Sequence, residues 1–304
     1  MKYTIDPGKK KKTLSMMDEI VYKQVTDLEG NPLDLHISLI NQMGNSEMRA
    51  ASGIDDELVN DRNKVVVWIN GGGWHHGRRN MMAAEMVYLA EAGYCVAIVE
   101  YRGSEKGKWP AQIEDVKEGI RFLRANADRF KIDASSVAVM GRSAGGHLAA
   151  MAAMNTDDFI TEAWPGVSSE VQACIDMFGP TDMEMQNAAS EEGFKKPGAR
   201  WTKFEDTHEG KLMGGDMSTL KERIKNASPV NFVNEKMCPM LILHGDEDPL
   251  VNIKISESLY DKIAAAGMED RVDLVTLKHG GHGTREFWQP ETRQLILDFL
   301  GKTL

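Results

Sequence analysis

The sequence predicts an α/β protein whose mainly parallel sheet of about eight strands carries helices on both faces. Apolar runs of strand length alternate along the chain with longer segments whose apolar residues recur at helical spacing. The strand-like runs are continuously apolar, as in strands that are buried on both faces. Such alternation of strands and helices is typical of a parallel sheet covered by helices.

The individual elements follow from the same patterns. The predicted strands are 20–25, 33–40, 65–69, 95–100, 136–140, 171–178, 240–243 and 271–277. The predicted helices are 81–92, 111–126, 144–154, 253–266 and 285–299. A turn at 27–32 joins the first two strands, and a polar stretch at 41–63 separates the second strand from the third.

One segment breaks the regular alternation. Residues 182–230 form a longer connection than usual, with Trp201, Phe204, Met213 and the glycine pair 214–215. We expect this segment to form a small helical cap over one end of the sheet. Since no repeat or long linker divides the chain, the sequence predicts a single domain over residues 1–304 with a cap insertion at about 182–230.

Composition and charge exclude several classes of partner. The 304 residues include 36 Lys and Arg against 46 Asp and Glu, which gives a formal net charge of −10. This charge repels phosphate backbones and anionic lipids, and the longest apolar runs fall far short of the roughly 20 residues of a membrane span. We therefore expect no nucleic-acid and no membrane partner. The basic run at 9–12 is interpreted as a solvated tail or strand edge.

The cysteines bear on the cellular compartment. Cys95, Cys174 and Cys238 cannot all pair within the chain, and two of them lie in apolar, strand-like runs. Cysteine in such a run usually acts as a small buried apolar residue. We therefore expect a reduced, cytoplasmic protein.

The strongest motif is G-x-S-x-G at residues 141–145, with Ser143 at its centre. It follows a predicted strand and begins a predicted helix, which is the context in which this motif presents a serine nucleophile. The helix N-terminus behind the serine favours developing negative charge. The alternative is an ordinary strand–helix turn with a chance serine, and the surrounding pattern favours the nucleophile.

A run of glycines follows the predicted strand 65–69. Gly71, Gly72 and Gly73 lie between Asn70 and Trp74, and successive glycines let several backbone N–H groups point into one small space. An oxyanion requires such a group of donors. A phosphate-binding loop is the competing interpretation, but the loop lacks both the following Lys-Ser/Thr pair and the G-x-G-x-x-G spacing.

Two late loops supply a candidate acid and a candidate base. Asp248 lies in an acidic turn after strand 240–243 and is held in extended geometry by Pro249. His282 has glycine on both sides, in the loop after strand 271–277. A histidine can take the proton of the serine, while a carboxylate fixes its tautomer and stabilises the imidazolium.

Neighbouring residues compete for these roles. His279 is the rival base, and we expect it to remain tied to the strand and to point into the sheet edge. Asp246 is expected to shape its loop. Together with Asp248 and His244 it could suggest a metal site, but the serine motif explains these residues better, so we expect no metal.

Other histidines and the tryptophans have weaker signals. His75 and His76 either line the mouth of the site or lie in a solvated loop, and His147 is expected to pack behind the serine. Each tryptophan is more often a core residue than a ligand platform. Our candidates for substrate contacts are nevertheless Trp74, Trp109 and Trp201.

Many of these segments resemble a known family. The chain order Ser…Asp…His is that of α/β-hydrolases. The chain resembles the feruloyl/acetylxylan-esterase-like group of that superfamily, close to the hormone-sensitive-lipase-type carboxylesterases. The segments that carry the resemblance are 65–74, 94–102, 109–116, 141–147, 178–182, 227–230 and 244–251. They cover most of the chain from about Val65 onward, and they are far less specific for substrate than for superfamily.

The resemblance implies a role for each site residue. The nucleophile, acid and base would be Ser143, Asp248 and His282. The oxyanion hole would consist of the amides of Gly72, Gly73 and Ala144. One residue departs from the pattern, since the glycine loop of this group usually starts with a histidine and here starts with Asn70. That position is thought to brace the loop and not to react, so Asn70 bears on the support of the loop more than on catalysis.

The function implied is that of a serine carboxylic-ester hydrolase that needs no cofactor. Its partners would be small-molecule or oligosaccharide substrates, namely acetyl or hydroxycinnamoyl esters of plant-derived saccharides. Two alternatives stay open: an amide hydrolase on the same triad, such as a formamidase or small peptidase, and a non-catalytic ligand-binding member of the fold. The sequence leaves the oligomeric state open.

Overall fold

The computed structural model describes residues 1–5, 13–43, 62–75, 79–194, 200–215 and 220–304. Its centre is one sheet whose eight strands lie in the order β1-β2-β4-β3-β5-β6-β7-β8. The strands are β1 (Thr13–Thr26), β2 (Pro32–Met43), β3 (Asn63–Ile69), β4 (Cys95–Val99), β5 (Ile132–Arg142), β6 (Ala173–Met177), β7 (Met240–Gly245) and β8 (Val272–Leu277). The β1–β2 and β2–β4 pairs are antiparallel and the other five pairs are parallel, which confirms the predicted mainly parallel sheet.

Helices cover both faces of this sheet. They are α1 (Ala83–Glu91), α2 (Ala111–Ala125), α3 (Ala127–Phe130), α4 (Ala144–Ala153), α5 (Met183–Phe194), α6 (His208–Met213), α7 (Lys221–Asn226), α8 (Lys254–Ala265) and α9 (Pro290–Thr303). Short 3₁₀ turns lie at Arg79–Met82, Phe204–Asp206, Pro229–Asn231, Glu269–Arg271 and Arg285–Trp288. Within the part of the chain that the structure describes, no helix is both long and apolar enough to cross a membrane.

The central strand β3 shows why the strands are continuously apolar. Val65, Val67 and Ile69 pack into the core on one face, beneath α2, α4 and α8. Val66 and Trp68 pack into the core on the other face, beneath α1 and α9. Successive side chains of a strand point to opposite faces, so a strand between two helical layers buries every residue.

The site residues come together because of this topology. Strands β3, β5, β7 and β8 run parallel to one another, so the loops that follow them emerge at the same edge of the sheet. Ligand sites of open α/β sheets form at this carboxyl edge. The glycine loop, Ser143, Asp248 and His282 follow these four strands in that order.

The structure differs from the predicted elements in a few places. The predicted helix 285–299 is a 3₁₀ turn followed by α9, because Gln289 adopts extended backbone with ψ of 156° and Pro290 suits the first turn of a helix. The described parts of the predicted cap, residues 182–230, contain α5, α6 and α7. All three cysteines are free and buried. The basic run at 9–12 and His76 lie outside the described residues.

Candidate active site

Ser143 lies in a tight turn between β5 and α4. Its backbone has φ of 52°, in a region that residues other than glycine rarely adopt. A Cβ at Gly141 would lie 2.2 Å from the carbonyl oxygen of Gly145, and a Cβ at Gly145 would lie 2.0 Å from that of Ile69. Both glycines are therefore sterically required. The turn has the geometry of a nucleophile elbow.

Ser143, His282 and Asp248 form one continuous chain of hydrogen bonds. Nε2 of His282 lies 2.8 Å from Oγ of Ser143, and its Nδ1 lies 2.7 Å from Oδ2 of Asp248. Because an ionised carboxylate can only accept, Nδ1–H donates to Asp248 and Nε2 is left to accept the serine hydroxyl. The ring of Phe178 packs edge-on against the imidazole, with the ring centroids 4.7 Å apart.

Asp248 is held as a carboxylate by its surroundings. Its Oδ1 accepts the backbone N–H groups of Leu250 at 2.8 Å and Val251 at 3.0 Å. Burial by itself would raise the pKa of Asp248. Interactions with His244 and His282 and the hydrogen bond from Val251 outweigh burial and hold that pKa well below its usual range. The acid beside His282 is therefore ionised at neutral pH.

His244 lies beneath this acid in the core. Its Nε2 is 2.9 Å from the carbonyl oxygen of Val251 and 3.6 Å from Oδ2 of Asp248. The shorter distance identifies the Val251 carbonyl as the acceptor of Nε2–H. Nδ1 lies 2.7 Å from the hydroxyl of Ser256 and accepts from it. His244 thus pins the loop that carries Asp248.

The rival base His279 points away from Ser143. Its backbone N–H donates to Oδ1 of Asp246 at 2.7 Å, so Asp246 shapes the loop. Its imidazole is 82% exposed and pairs with Glu247 at 2.9 Å, and this hydrogen bond raises the pKa of His279. The expectation that His279 points into the sheet edge is wrong, because its partner Glu247 lies in solvent.

The glycine loop lies directly against the nucleophile. A Cβ at Gly71 would be 3.1 Å from Cβ of Ser143. Gly72 and Gly73 adopt φ of 129° and 58° and line the same cavity as Ser143. Ala144 begins α4, so its N–H has no acceptor within the helix. The structure thus places Gly72, Gly73 and Ala144 around Ser143.

Asn70 braces this loop. Its Oδ1 accepts the indole N–H of Trp68 at 3.0 Å, and its Nδ2 donates to the carbonyl oxygen of Arg79. Its own carbonyl accepts the hydroxyl of Tyr101 at 3.0 Å. The asparagine is buried and its side chain and carbonyl form three hydrogen bonds, so it supports the loop.

His147 packs behind the serine, where the sequence analysis placed it. Its Nδ1 accepts the indole N–H of Trp74 at 3.1 Å, so Nε2 carries the proton and donates to the carbonyl oxygen of Ala227 at 2.6 Å. Burial lowers the pKa of His147 to about 4, which keeps the ring neutral. Trp109 packs against this ring in a tilted arrangement, with the ring centroids 5.4 Å apart, and is only 3% exposed.

A cavity of about 690 Å³ opens above these residues. Of the three tryptophans expected to contact substrate, Trp74 and Trp201 line this cavity. Trp109 does not, because it is packed in the core against His147 and Phe159, and that expectation is corrected. His75 is likewise turned away from the cavity, toward Ser104 and Glu105.

Several cavity residues had no specific signal in the sequence. Besides the predicted Trp201, residues 182–230 contribute Gln186, Ser190, Arg200, His208 and Glu209 to the cavity wall. Glu209 is buried, burial raises its pKa, and Nε2 of Gln186 donates to its Oε1 at 3.2 Å. Arg142 also lines the cavity, and its place inside the G-x-S-x-G motif could have identified it.

Comparison with known proteins gives the same architecture. A family model described as BD-FAE matches residues 56–263. Esterase LipC of Mycobacterium tuberculosis is 29% identical over 222 residues, which are 72% of this chain and 52% of LipC. The chain spans about half the length of the curated relatives it matches.

Solved structures extend the comparison to nearly the whole chain. A truncated form of a carbohydrate esterase from gut microbiota has a TM-score of 0.74 and 24% identity, over 96% of this chain and 97% of its own. The bifunctional GH43-CE protein of Bacteroides eggerthii has a TM-score of 0.74 and 25% identity, over 95% of this chain and 35% of its own. The predicted fold is thus confirmed.

Proposed function

The chain belongs to the BD-FAE family of α/β-hydrolases, and from this premise we propose that it hydrolyses carboxylic esters with Ser143 as the nucleophile. The observation that carries the proposal is the hydrogen-bonded chain from Ser143 through His282 to Asp248, with contacts of 2.8 Å and 2.7 Å. The name of the relative LipC, an esterase, supports the same reaction class.

The first half-reaction forms an acyl-enzyme. Nε2 of His282 takes the hydroxyl proton while Oγ of Ser143 attacks the ester carbonyl. The carbonyl oxygen becomes an oxyanion, which the amides of Gly72, Gly73 and Ala144 stabilise by hydrogen bonding. When the tetrahedral intermediate collapses, the protonated His282 gives its proton to the departing alcohol.

The second half-reaction repeats these steps with water. His282 takes a proton from the water, the resulting hydroxide attacks the acyl carbon, and the carboxylic acid leaves as Ser143 recovers its proton. Asp248 stays ionised throughout and stabilises the imidazolium that forms in each half-reaction. The proposed chemistry is complete with side chains and backbone of this chain, and we propose that no cofactor takes part.

We propose as substrates acetyl or hydroxycinnamoyl esters of saccharides, as small molecules or oligosaccharides. The resemblance of the motifs to the feruloyl/acetylxylan-esterase-like group supports this substrate class. So does the cavity wall, to which Trp201 contributes an indole ring. We propose further that residues 182–230 cap a single domain and that the protein acts in the cytoplasm.

A substrate panel with an active-site label tests the proposal. Labelling of the parent protein by a fluorophosphonate probe is measured first. Turnover is then measured with 4-nitrophenyl acetate, methyl ferulate, acetylated xylo-oligosaccharides and aminoacyl amides. We expect probe labelling and turnover of the esters, with Ser143→Ala as the unlabelled control. If the amides were turned over faster than the esters, the proposed activity would change from esterase to amidase with the same catalytic residues. Absence of both labelling and turnover would mean a non-catalytic member of the fold.

A further inference from the structure

Arg142 is a partly buried cation without a partner among the described residues. It precedes the nucleophile and lines the same cavity. Its Nε is buried without a hydrogen-bond partner, and neither an ion pair nor a hydrogen bond joins its guanidinium to any residue in the described ranges. Burial lowers the pKa of Arg142, which is consistent with a guanidinium that is partly removed from solvent.

Other arginines that are buried or partly buried in this chain are paired. Nε and Nη2 of Arg102 donate to the two carboxylate oxygens of Asp115, each at 2.8 Å. Arg121 donates to three backbone carbonyls, including that of Val167 at 2.9 Å. A buried charge is costly unless it is paired, so an unpaired guanidinium in a cavity wall is a candidate ligand-binding group.

The side chain of Arg142 lies between the two loops that serve the reaction, with its guanidinium beside the loop of His282. On one side, a Cβ at Gly71 in the oxyanion loop would be 3.4 Å from Cγ of Arg142. On the other side, a Cβ at Gly283, next to His282, would be 3.5 Å from Nη1 of Arg142. An anion bound to this guanidinium would therefore lie close to the scissile bond.

The acids that line the cavity are not available to Arg142. Asp248 is held by His282 and by two backbone amides. Glu209 accepts a hydrogen bond from Gln186, and burial raises its pKa. Glu192 is exposed and forms no ion pair with a described residue. The cavity therefore offers a positive charge that no described residue neutralises.

We propose that Arg142 binds a carboxylate of the substrate and makes this enzyme selective for esters that carry a negative charge near the scissile bond. The planar fork of a guanidinium matches a carboxylate with two parallel hydrogen bonds. The inference rests on the proposed function, since it assumes that esters are cleaved at Ser143. It adds an acidic group as a feature of the preferred ester.

The carboxylate can belong to either half of the ester, and two matched substrate pairs distinguish these sources. The acyl-side pair is 4-nitrophenyl hemisuccinate and the neutral 4-nitrophenyl pentanoate. The alcohol-side pair is 3-carboxyphenyl acetate and the neutral 3-carbamoylphenyl acetate. The measured quantity is the ratio of kcat/KM for the charged ester to that for its neutral partner. We expect a ratio of at least tenfold in one of the two pairs.

Variants connect this ratio to Arg142. Arg142→Gln should reduce the preferred ratio at least tenfold, and Arg142→Lys should retain a substantial part of it because the charge is kept. The matched control is Arg129→Gln, an exposed arginine before the opposite end of β5, which changes the net charge equally and should leave the ratio unaltered. Should the glutamine variant not fold, the parent protein provides a second measurement. Its ratio of charged to neutral ester should decrease as the salt concentration is raised, because salt screens the attraction between the guanidinium and the carboxylate.

The outcomes separate the two proposals. If the neutral esters are hydrolysed but both ratios are near one, or are the same in the parent and Arg142→Gln, the assignment of Arg142 is wrong while the esterase stands. If no ester is hydrolysed and the fluorophosphonate does not label Ser143, the proposed function fails and the inference fails with it.

Discussion

The indole N–H of Trp74 donates to Nδ1 of His147 at 3.1 Å, which joins the end of the glycine loop to the helix that begins beside the nucleophile. Both residues are buried, and the second nitrogen of His147 donates to the carbonyl of Ala227. Three segments that are distant in sequence thus share one neutral imidazole. The His147 ring therefore connects the glycine loop to the helix that follows Ser143.

We predict that Trp74→Phe weakens both stability and catalysis. The variant keeps an aromatic ring but leaves Nδ1 of His147 as a buried acceptor without a donor, at a cost of about 1–3 kcal/mol in the free energy of unfolding. Urea denaturation measures this loss, and kcat for 4-nitrophenyl acetate should fall more than KM rises. Unchanged values of both would show that the hydrogen bond neither stabilises the protein nor positions the loop.

Replacing Ser143 with alanine should leave a folded protein whose ester turnover is lower by several orders of magnitude, because the attacking oxygen is absent. Circular dichroism checks the fold, and initial rates with 4-nitrophenyl acetate check the activity. Turnover within tenfold of the parent, in a preparation free of contaminating esterases, would rule out the nucleophile assignment.

Asp248→Asn and His282→Ala should each lower turnover at least a hundredfold, since the first removes the charge beside the imidazole and the second removes the base. His279→Ala is the matched control, because its imidazole is 82% exposed and, among the described residues, pairs with the side chain of Glu247 alone. Rates for the three variants are compared at pH 8. If His279→Ala abolished turnover while His282→Ala remained active, the assignment of His282 as the base would be wrong.

Asp176 should make the protein less stable as the pH rises. It is fully buried on β6, its Oδ2 has no hydrogen-bond partner within the described residues, and burial raises its pKa to about 6. An acid whose pKa is raised in the folded state binds its proton more tightly there, so stability falls between about pH 4 and pH 6 and stays lower above that. The cost at neutral pH is on the order of 3 kcal/mol.

Asp176→Asn should therefore raise the free energy of unfolding at pH 8 and change it little at pH 4, as measured by urea denaturation at both values. Asp133→Asn provides a contrast of opposite sign. Hydrogen bonds from Ser135 lower the pKa of Asp133, so that variant should be less stable than the parent at neutral pH and approach it in acid. A stability difference for Asp176→Asn that does not depend on pH would contradict the prediction.

The parts of the fold predicted from sequence are those with a strong local signal. Strand β3 could be predicted because residues 65–69 are all apolar and are buried on both faces of the sheet. Strand β1 was predicted as 20–25 but spans Thr13–Thr26, because its first half lies at the edge of the sheet and is mostly exposed. The order of the strands depends on contacts between distant segments, which no local pattern records.

The same reasoning applies to the site. Ser143, Asp248 and His282 stand in short motifs whose geometry is fixed by neighbouring glycine and proline, so their positions could be predicted. Gln186 and Glu209 could not, because residues 182–230 carry no recognisable motif and reach the cavity only through packing. Trp109 was misplaced for the same reason: its neighbours in space, His147 and Phe159, are far from it in sequence.

The separation of Ser143 and His282 by 139 residues has a consequence during synthesis of the chain. Ribosomes add roughly 5–20 residues per second, so the serine is made roughly 7 to 28 s before the histidine. In that interval a nascent chain carries the elbow and the glycine loop without the imidazole that accepts the serine proton. The proposed hydrolase therefore becomes competent only after β8 has been made, and its activity reports that the last strand of the sheet has joined.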